Sequence, residues 1–154
     1  MDDAEVIARQ TSAVQQLHND ALPDIFKPPS AELFPPAKLA ILIDDPNSVV
    51  AVAEMDGRVV GHIYAAAVHR AENAFSSSGS HIYIHQIGVD AECRHQGVGT
   101  ALVEFVLHRA RAMGVRAVHV DHWAFNRRAA GFFEACGFQP TKIVMRQTLT
   151  DDSA

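Results

Sequence analysis

The sequence predicts a mixed α/β fold with helices packed on a sheet, and three observations lead there. Segments with helical period and segments with strand period follow one another as helix, helix, hairpin, strand, helix, strand, helix, strand. Two apolar β-branched runs flank Asp56-Gly57, a dipeptide suited to a tight hairpin turn. Gly114 and Gly137 each sit just behind a helical pattern, where a left-handed C-cap belongs. At 154 residues, 48% apolar and 20% charged, the chain suits one globular domain over residues 1–154.

Each element has its own warrant. From Asp3 to about Leu22, Val6, Ile7, Val14, Leu17 and Leu22 give an amphipathic helix, which Pro23 ends. Residues 23–36 are proline-rich and carry Phe26 and Phe34, a loop with apolar anchors; a short helix follows over Pro36–Asp44. Val49–Met55 and Val59–Val68 read as the hairpin strands, and Arg70–Ser80 as a serine-rich connection. His81–Val89 is the next strand, and Asp90–Gly97 a loop. Thr100–Met113 is a helix with Leu102, Val103, Val106 and Leu107 on its apolar face. Val115–Trp123 reads as a strand, Arg127–Cys136 as a helix and Ile143–Leu149 as a final strand.

Composition excludes several classes. A net charge of −5 with no basic stretch gives no footprint for nucleic acid. No apolar run reaches the ~18 residues of a membrane span. The acidic, polar start is not a secretory signal, so Cys93 and Cys136 are expected as free thiols in the cytoplasm.

The chemistry concentrates in Ile87-Gly88-Val89-Asp90-Ala91-Glu92-Cys93-Arg94-His95-Gln96-Gly97-Val98-Gly99-Thr100. A strand ends, a polar loop turns, and two glycines open a helix. The first N–H groups of that helix lack internal partners and sit at its positive end, which suits a phosphate or pyrophosphate. Glycines at such a junction also serve a plain tight turn. A nucleotide P-loop needs Gly-Lys-Ser/Thr, and the lysine is missing; a dinucleotide fingerprint needs a third glycine where Leu102 stands.

What matches is Arg/Gln-x-x-Gly-x-Gly/Ala, here Arg94-His95-Gln96-Gly97-Val98-Gly99. It is followed downstream by Asn126-Arg127-Arg128-Ala129-Ala130-Gly131-Phe132-Phe133-Glu134-Ala135-Cys136-Gly137-Phe138. With these two motifs the sequence resembles the Gcn5-related N-acetyltransferase (GNAT) superfamily, over about Val49–Leu149. The resemblance implies a mixed, mostly antiparallel central sheet flanked by helices, with a splayed strand pair at the acetyl-CoA site. Members usually begin with a short strand. Here the chain starts almost directly with helix-like residues, so that first strand is absent or the sequence begins after it.

The resemblance also implies roles. The backbone at His95, Gln96, Gly97, Val98, Gly99 and Thr100 would hold the pyrophosphate of acetyl-CoA, with Arg94 at the rim. Ile87 and Val89 would pair with the pantetheine arm beside a bulge eased by Gly88. Asn126 would bond the same arm, or cap its helix. Ala129, Phe132 and Phe133 would line the thiol end, with core packing expected for at least one phenylalanine. Many members have a tyrosine where Phe133 stands, as proton donor to the leaving thiolate; water or Tyr83 would have to replace it. His85, on one strand face with Tyr83, is the candidate base for an amine. Asp121 and His122 form a second candidate pair. A metal could be drawn from His119, Asp121 and His122, but strand positions so spaced point to opposite faces, and none is expected.

The function implied is acetyl transfer from acetyl-CoA to a primary amine, on a small molecule or peptide, by direct attack in a ternary complex. Phe133 supports the alternative of a catalytically weak acyl-CoA-binding sensor, and a longer acyl donor is a third reading. The family adds a homodimer through Ile143–Leu149 or the sheet edge. Phe26, Phe34 and the prolines fall where members build acceptor-site walls.

Overall fold

A computed structural model describes residues 3–31, 33 and 35–149. Phe34 therefore lies outside the described residues. The chain forms helix α1 (Asp3–Ala21), helix α2 (Pro36–Asp44), strands β1 (Ser48–Met55), β2 (Arg58–Arg70) and β3 (Gly79–Val89), helix α3 (Val98–Ala112), strand β4 (Val118–His119) and helix α4 (Arg127–Ala135). The sheet order is β1-β2-β3-β4. The first two pairs are antiparallel and β3–β4 is parallel. This is the mixed, mostly antiparallel sheet flanked by helices that the sequence predicts. None of the described helices is long and apolar enough to cross a membrane.

Local chemistry explains the turns. Asp56 and Gly57 both take positive φ, 51° and 73°, which matches the twist of the β1–β2 hairpin. Behind α3, Gly114 (φ 71°) lets the Val115 N–H reach the Ala110 carbonyl at 2.9 Å, and Gly137 (φ 89°) lets Phe138 reach Phe133 at 3.0 Å. Both glycines satisfy helix-end carbonyls that would otherwise face water alone.

The two faces of the sheet carry different helices. Ile63, Ala65, Ile82 and Ile84 pack with Val98, Leu102, Val103, Val106 and Ala110 of α3 in one apolar core. His62, adjacent to Ile63, points the other way and meets Gln10 of α1 at 2.7 Å. The buried stripe of α1 is thus Val6, Ile7, Gln10 and Thr11, while Val14 and Leu17 are exposed. Apolarity alone predicts Val14 and Leu17 inside; helical spacing from Ile7 brings Gln10 and Thr11 in instead, with polar partners to receive them.

Three expectations are corrected. The bulge in β3 is not at Gly88: the β2–β3 register breaks between Tyr64 and Ala65 and skips His85. Gly88 is glycine for space, since a Cβ there would lie 2.7 Å from His62 Cε1 and 3.0 Å from Gln10 Cβ. The strand expected over Val115–Trp123 keeps only Val118 and His119, because the chain departs from β3 beyond that point and strand structure needs a bonded neighbour. Ile143–Leu149 forms no strand, for the same reason: nothing among the described residues lies alongside to accept its ladder. Ile143, Val144, Met145 and Leu149 are 79–90% exposed.

His62 is 2% exposed, and burial pushes its pKa down to about 4. The unfolded chain, near 6.5, then binds more protons than the native one between these values. His62 therefore contributes stability that is intact above pH 6.5 and lost as pH falls through that window, by about 3 kcal/mol. Denaturant titrations between pH 7 and pH 4 should show this slope, and His62→Gln should flatten it. Gly88→Ala is expected to cost roughly 1–3 kcal/mol by overpacking against His62. Gly131→Ala, with open space around the added carbon on exposed α4, should gain about 0.5–1 kcal/mol in the same assay.

Candidate active site

At the end of β3 the Asp90 N–H bonds the Val60 carbonyl at 2.9 Å, and Ala91–Cys93 make one turn of 3-10 helix. His95 then adopts φ 62° and Gly97 φ 83°, two left-handed positions that turn successive N–H groups toward one side. The Gln96 side chain donates to the Glu92 carbonyl at 3.0 Å and braces the loop. Gly97 is the N-cap of α3 and no side chain caps that end, so the N–H groups of Val98, Gly99 and Thr100 remain for an anion. Helix α3 begins at Val98, two residues earlier than sequence periodicity suggests.

The two loop glycines do different work. Gly97 carries the positive φ, with no atom near an added Cβ; at Gly99 that Cβ would lie 3.1 Å from the Phe132 ring. Beside the loop, Arg94 is half-buried, and burial followed by the charge of Arg128 lowers its pKa, with Asp90 opposing. Arg128, in the first turn of α4, is a residue that motif reading passed over. The doublet Arg127-Arg128 was its only signal.

Strands β3 and β4 part company early. They pair only at Ile82↔Val118 and Tyr83↔His119, with the Ile82 N–H on the Ala117 carbonyl at 3.0 Å. Beyond Tyr83, β3 runs on to Val89 with no strand on that edge among the described residues. Which groups face that edge follows from alternation. The Ile82 N–H points toward β4, yet the Asp90 N–H, also even-numbered, points toward β2. The alternation has therefore flipped at His85, and the N–H groups of Ile87 and Val89 turn to the open edge.

Asn126 caps α4, its Oδ1 accepting the Ala129 N–H at 3.1 Å. Phe133 is 6% exposed and packs on Phe132 and Phe138, with ring centroids 5.1 and 5.7 Å away.

On the α1 face of the sheet, His85 stacks on Tyr64 at 4.9 Å and lies 5.0 Å from the Tyr83 ring. Burial lowers the His85 pKa from its usual 6.5, against the nearby charge of Asp121. Burial, then a hydrogen bond to Asp121 and its charge, pushes Tyr83 up to about 12. At neutral pH His85 is thus unprotonated and Tyr83 protonated. The expected pair Asp121–His122 divides: Asp121 joins this cluster, while exposed His122 brings Nδ1 to the Trp123 carbonyl at 3.2 Å. Tyr64 is the member missed, since only the cross-strand register brings it beside His85.

A second aromatic group gathers between α1 and the segment after β4. Phe26 stacks on His18 at 4.8 Å and meets Trp123 edge-on at 5.1 Å; His18 also meets Phe125 at 5.8 Å. Asn19 holds the Phe26 carbonyl at 2.6 Å and Gln15 that of Lys27 at 2.7 Å, which fixes the proline-rich loop to α1. Cys93 and Cys136 are free thiols, and it is Cys93 that is buried in the core, with Cys136 half-buried. No group of three metal-ligating side chains forms among the described residues.

The profile of the acetyltransferase (GNAT) family matches residues 12–138. The probable N-acetyltransferase camello of Xenopus laevis is 28% identical over 99 residues, 64% of this chain and 42% of that protein. An uncharacterized N-acetyltransferase of Methanocaldococcus jannaschii is 29% identical over 98 residues, 60% of this chain and 40% of that protein. The chain thus spans about two fifths of the length of these curated relatives. Among solved structures, a mutant of the BH1408 protein from Bacillus halodurans superposes with a TM-score of 0.90 at 23% identity, covering 96% of this chain and 94% of that one. The aminoglycoside N-acetyltransferase AAC(6')-Iy, solved with CoA, gives 0.64 at 22% identity, covering 74% and 84%. By the profile match over residues 12–138, the chain belongs to the acetyltransferase (GNAT) family.

Proposed function

We propose that the protein transfers an acetyl group from acetyl-CoA to a primary amine by direct attack in a ternary complex. The observation that carries this reading is His85: an unprotonated imidazole at the bulge, where β3 leaves β4 and its open edge runs on to the anion loop. Acetyl-CoA is the donor substrate, with its pyrophosphate on the N–H groups of His95 through Thr100. Arg94 and Arg128 repel one another across this loop, an unfavourable arrangement that an anion would relieve. The open-edge groups of Ile87 and Val89 pair with the pantetheine arm, and Asn126 keeps its amide N–H₂ for the same arm. Ala129 and Phe132 line the thiol end, with Phe133 behind them.

The amine arrives as an ammonium and gives one proton to His85, directly or through water. Its nitrogen then attacks the thioester carbonyl carbon, with an N–H of the open β3 edge on the carbonyl oxygen. As the C–N bond forms the nitrogen releases its second proton to water; collapse then breaks the C–S bond, and the CoA thiolate leaves with the electron pair. A Tyr83 proton at a pKa of about 12 lies well above a thiol near ~8.5, so its transfer to the thiolate would be uphill. We assign the thiolate's proton to the His85 imidazolium, and to Tyr83 the task of holding Asp121 beside His85. Buried Phe133 leaves no hydroxyl at the family's usual donor position, which supports a second reading, an acyl-CoA-binding sensor.

The acceptor is a small molecule or peptide; the net charge of −5 favours a cationic one. We place the protein in the cytoplasm, on the strength of its two free thiols. We also propose a homodimer in which the segment at residues 143–149 finds a partner strand in a second copy, because apolar side chains at 79–90% exposure favour association. Light scattering should give twice the 16.8 kDa chain mass, and a chain ending at residue 139 should give a monomer.

His85→Ala should lower kcat/KM roughly 10²-fold or more while the calorimetric Kd for CoA moves less than about twofold. Because the His85 pKa lies below 6.5, the wild-type rate should fall with acid only on a limb below that pH, and the variant should lose this limb. Tight acetyl-CoA binding without turnover on any amine of a broad panel would favour the sensor. Absence of binding would sink both readings.

A further inference from the structure

A polar chain runs through the protein from the surface of α1 to the head of the anion loop. Arg9 Nη2 lies 3.1 Å from both carboxylate oxygens of Asp90. Gln10 Nε2 donates to Asp90 Oδ1 at 2.9 Å, and Gln10 Oε1 faces His62 Nδ1 at 2.7 Å. Because the amide N–H₂ is committed to Asp90, its oxygen must accept, and the imidazole proton is on Nδ1. His62 Nε2 is then an acceptor, buried without a hydrogen-bond partner among the described residues. Beside it, Thr11 donates to Gln86 at 3.4 Å. Three consecutive residues of α1 thus grip β3 after the bulge. Gln10, Thr11, His62 and Asp90 are all below 9% exposed.

Such a network is costly unless its members stay in register, since each lost partner leaves a buried polar group unpaired. Asp90 is the last anchored residue before the loop. Its N–H is held by Val60 and its carbonyl accepts the Cys93 N–H at 2.9 Å, so its position sets the 3-10 turn that follows. Burial pushes the Asp90 carboxyl up, but the hydrogen bonds of Gln10 and Arg9 and the charges of Arg9 and Arg58 outweigh it and hold it ionised.

We infer that Arg9, Gln10 and Asp90 are positioning residues for the anion loop, fixing the phosphate cradle from behind through α1 without touching the ligand. This rests on the proposed acetyl-CoA site. It predicts an effect confined to the part of the ligand the loop holds, because the open edge of β3 has its own support in the β2 ladder.

The test compares CoA with pantetheine, which lacks the pyrophosphate and nucleotide, using calorimetry for the first and ligand-observed NMR for the second. In Asp90→Asn and Gln10→Leu the Kd for CoA should rise about tenfold while that for pantetheine stays within about twofold. A merely structural role would weaken both ligands together, and that result overturns the inference, as does unchanged CoA binding in a folded Asp90→Asn. Arg9→Gln keeps the test open should the buried variants fail to fold: the Arg9 side chain is 57% exposed, and its loss should still weaken CoA about threefold. No loss there overturns the inference too. If wild type itself binds no CoA, the acetyl-CoA reading fails first, before any variant is compared.

Discussion

The extra residue at His85 governs the arrangement of the site. A strand that alternates strictly from Gly79 to Val89 would point the N–H groups of Ile87 and Val89 into the β2 ladder, leaving the other edge to their neighbours. One unpaired residue reverses that, and it also lays His85 and Gln86 side by side on the α1 face. The imidazole, the open edge and the entry into the loop are consequences of a single register break. Tyr64 and Tyr83 pack around the break and hold the imidazole in a half-dry setting, where burial rather than charge decides its protonation.

Electrostatics is divided between the strand cluster and the loop. On the α1 side, Asp121 draws a hydrogen bond from Tyr83 and moderates His85, so that base and hydroxyl are both in their neutral forms near pH 7. At the loop, Arg94 and Arg128 are left facing one another with Asp90 as partial relief. The first arrangement suits proton movement, and the second suits a bound anion.

Much of the fold was legible because its signals are local. Asp56-Gly57 announced a hairpin, Gly114 and Gly137 announced helix ends, and Leu102, Val103 and Val106 announced the buried face of α3. The loop was legible through Gly97, whose positive φ needs no long-range partner. What escaped depends on neighbours distant in the chain. Gln10 and Thr11 look like surface residues until His62 and Asp90 are placed beside them. Gly88 looks like a bulge glycine until the His62 ring occupies its missing Cβ. The segment at 143–149 has strand composition, but composition does not supply a neighbour. Tyr64 joins His85 only through cross-strand register, and Arg128 reaches Arg94 only when α4 docks beside the loop.

The contact between Gly99 and Phe132 joins the two halves of the sequence signature. The second loop glycine has its size set by a ring on another helix, with 3.1 Å left for any added carbon. The proposed ligand recognition and internal packing therefore constrain the same position, and from sequence alone the two are indistinguishable. Drift at either site is coupled to the other: an added carbon at 99 requires the 132 ring to give by a few tenths of an ångström, so the order in which substitutions arrive matters. The two motifs behave as one inherited unit, and a chimaera that exchanges one without the other would carry a steric conflict into its own binding loop.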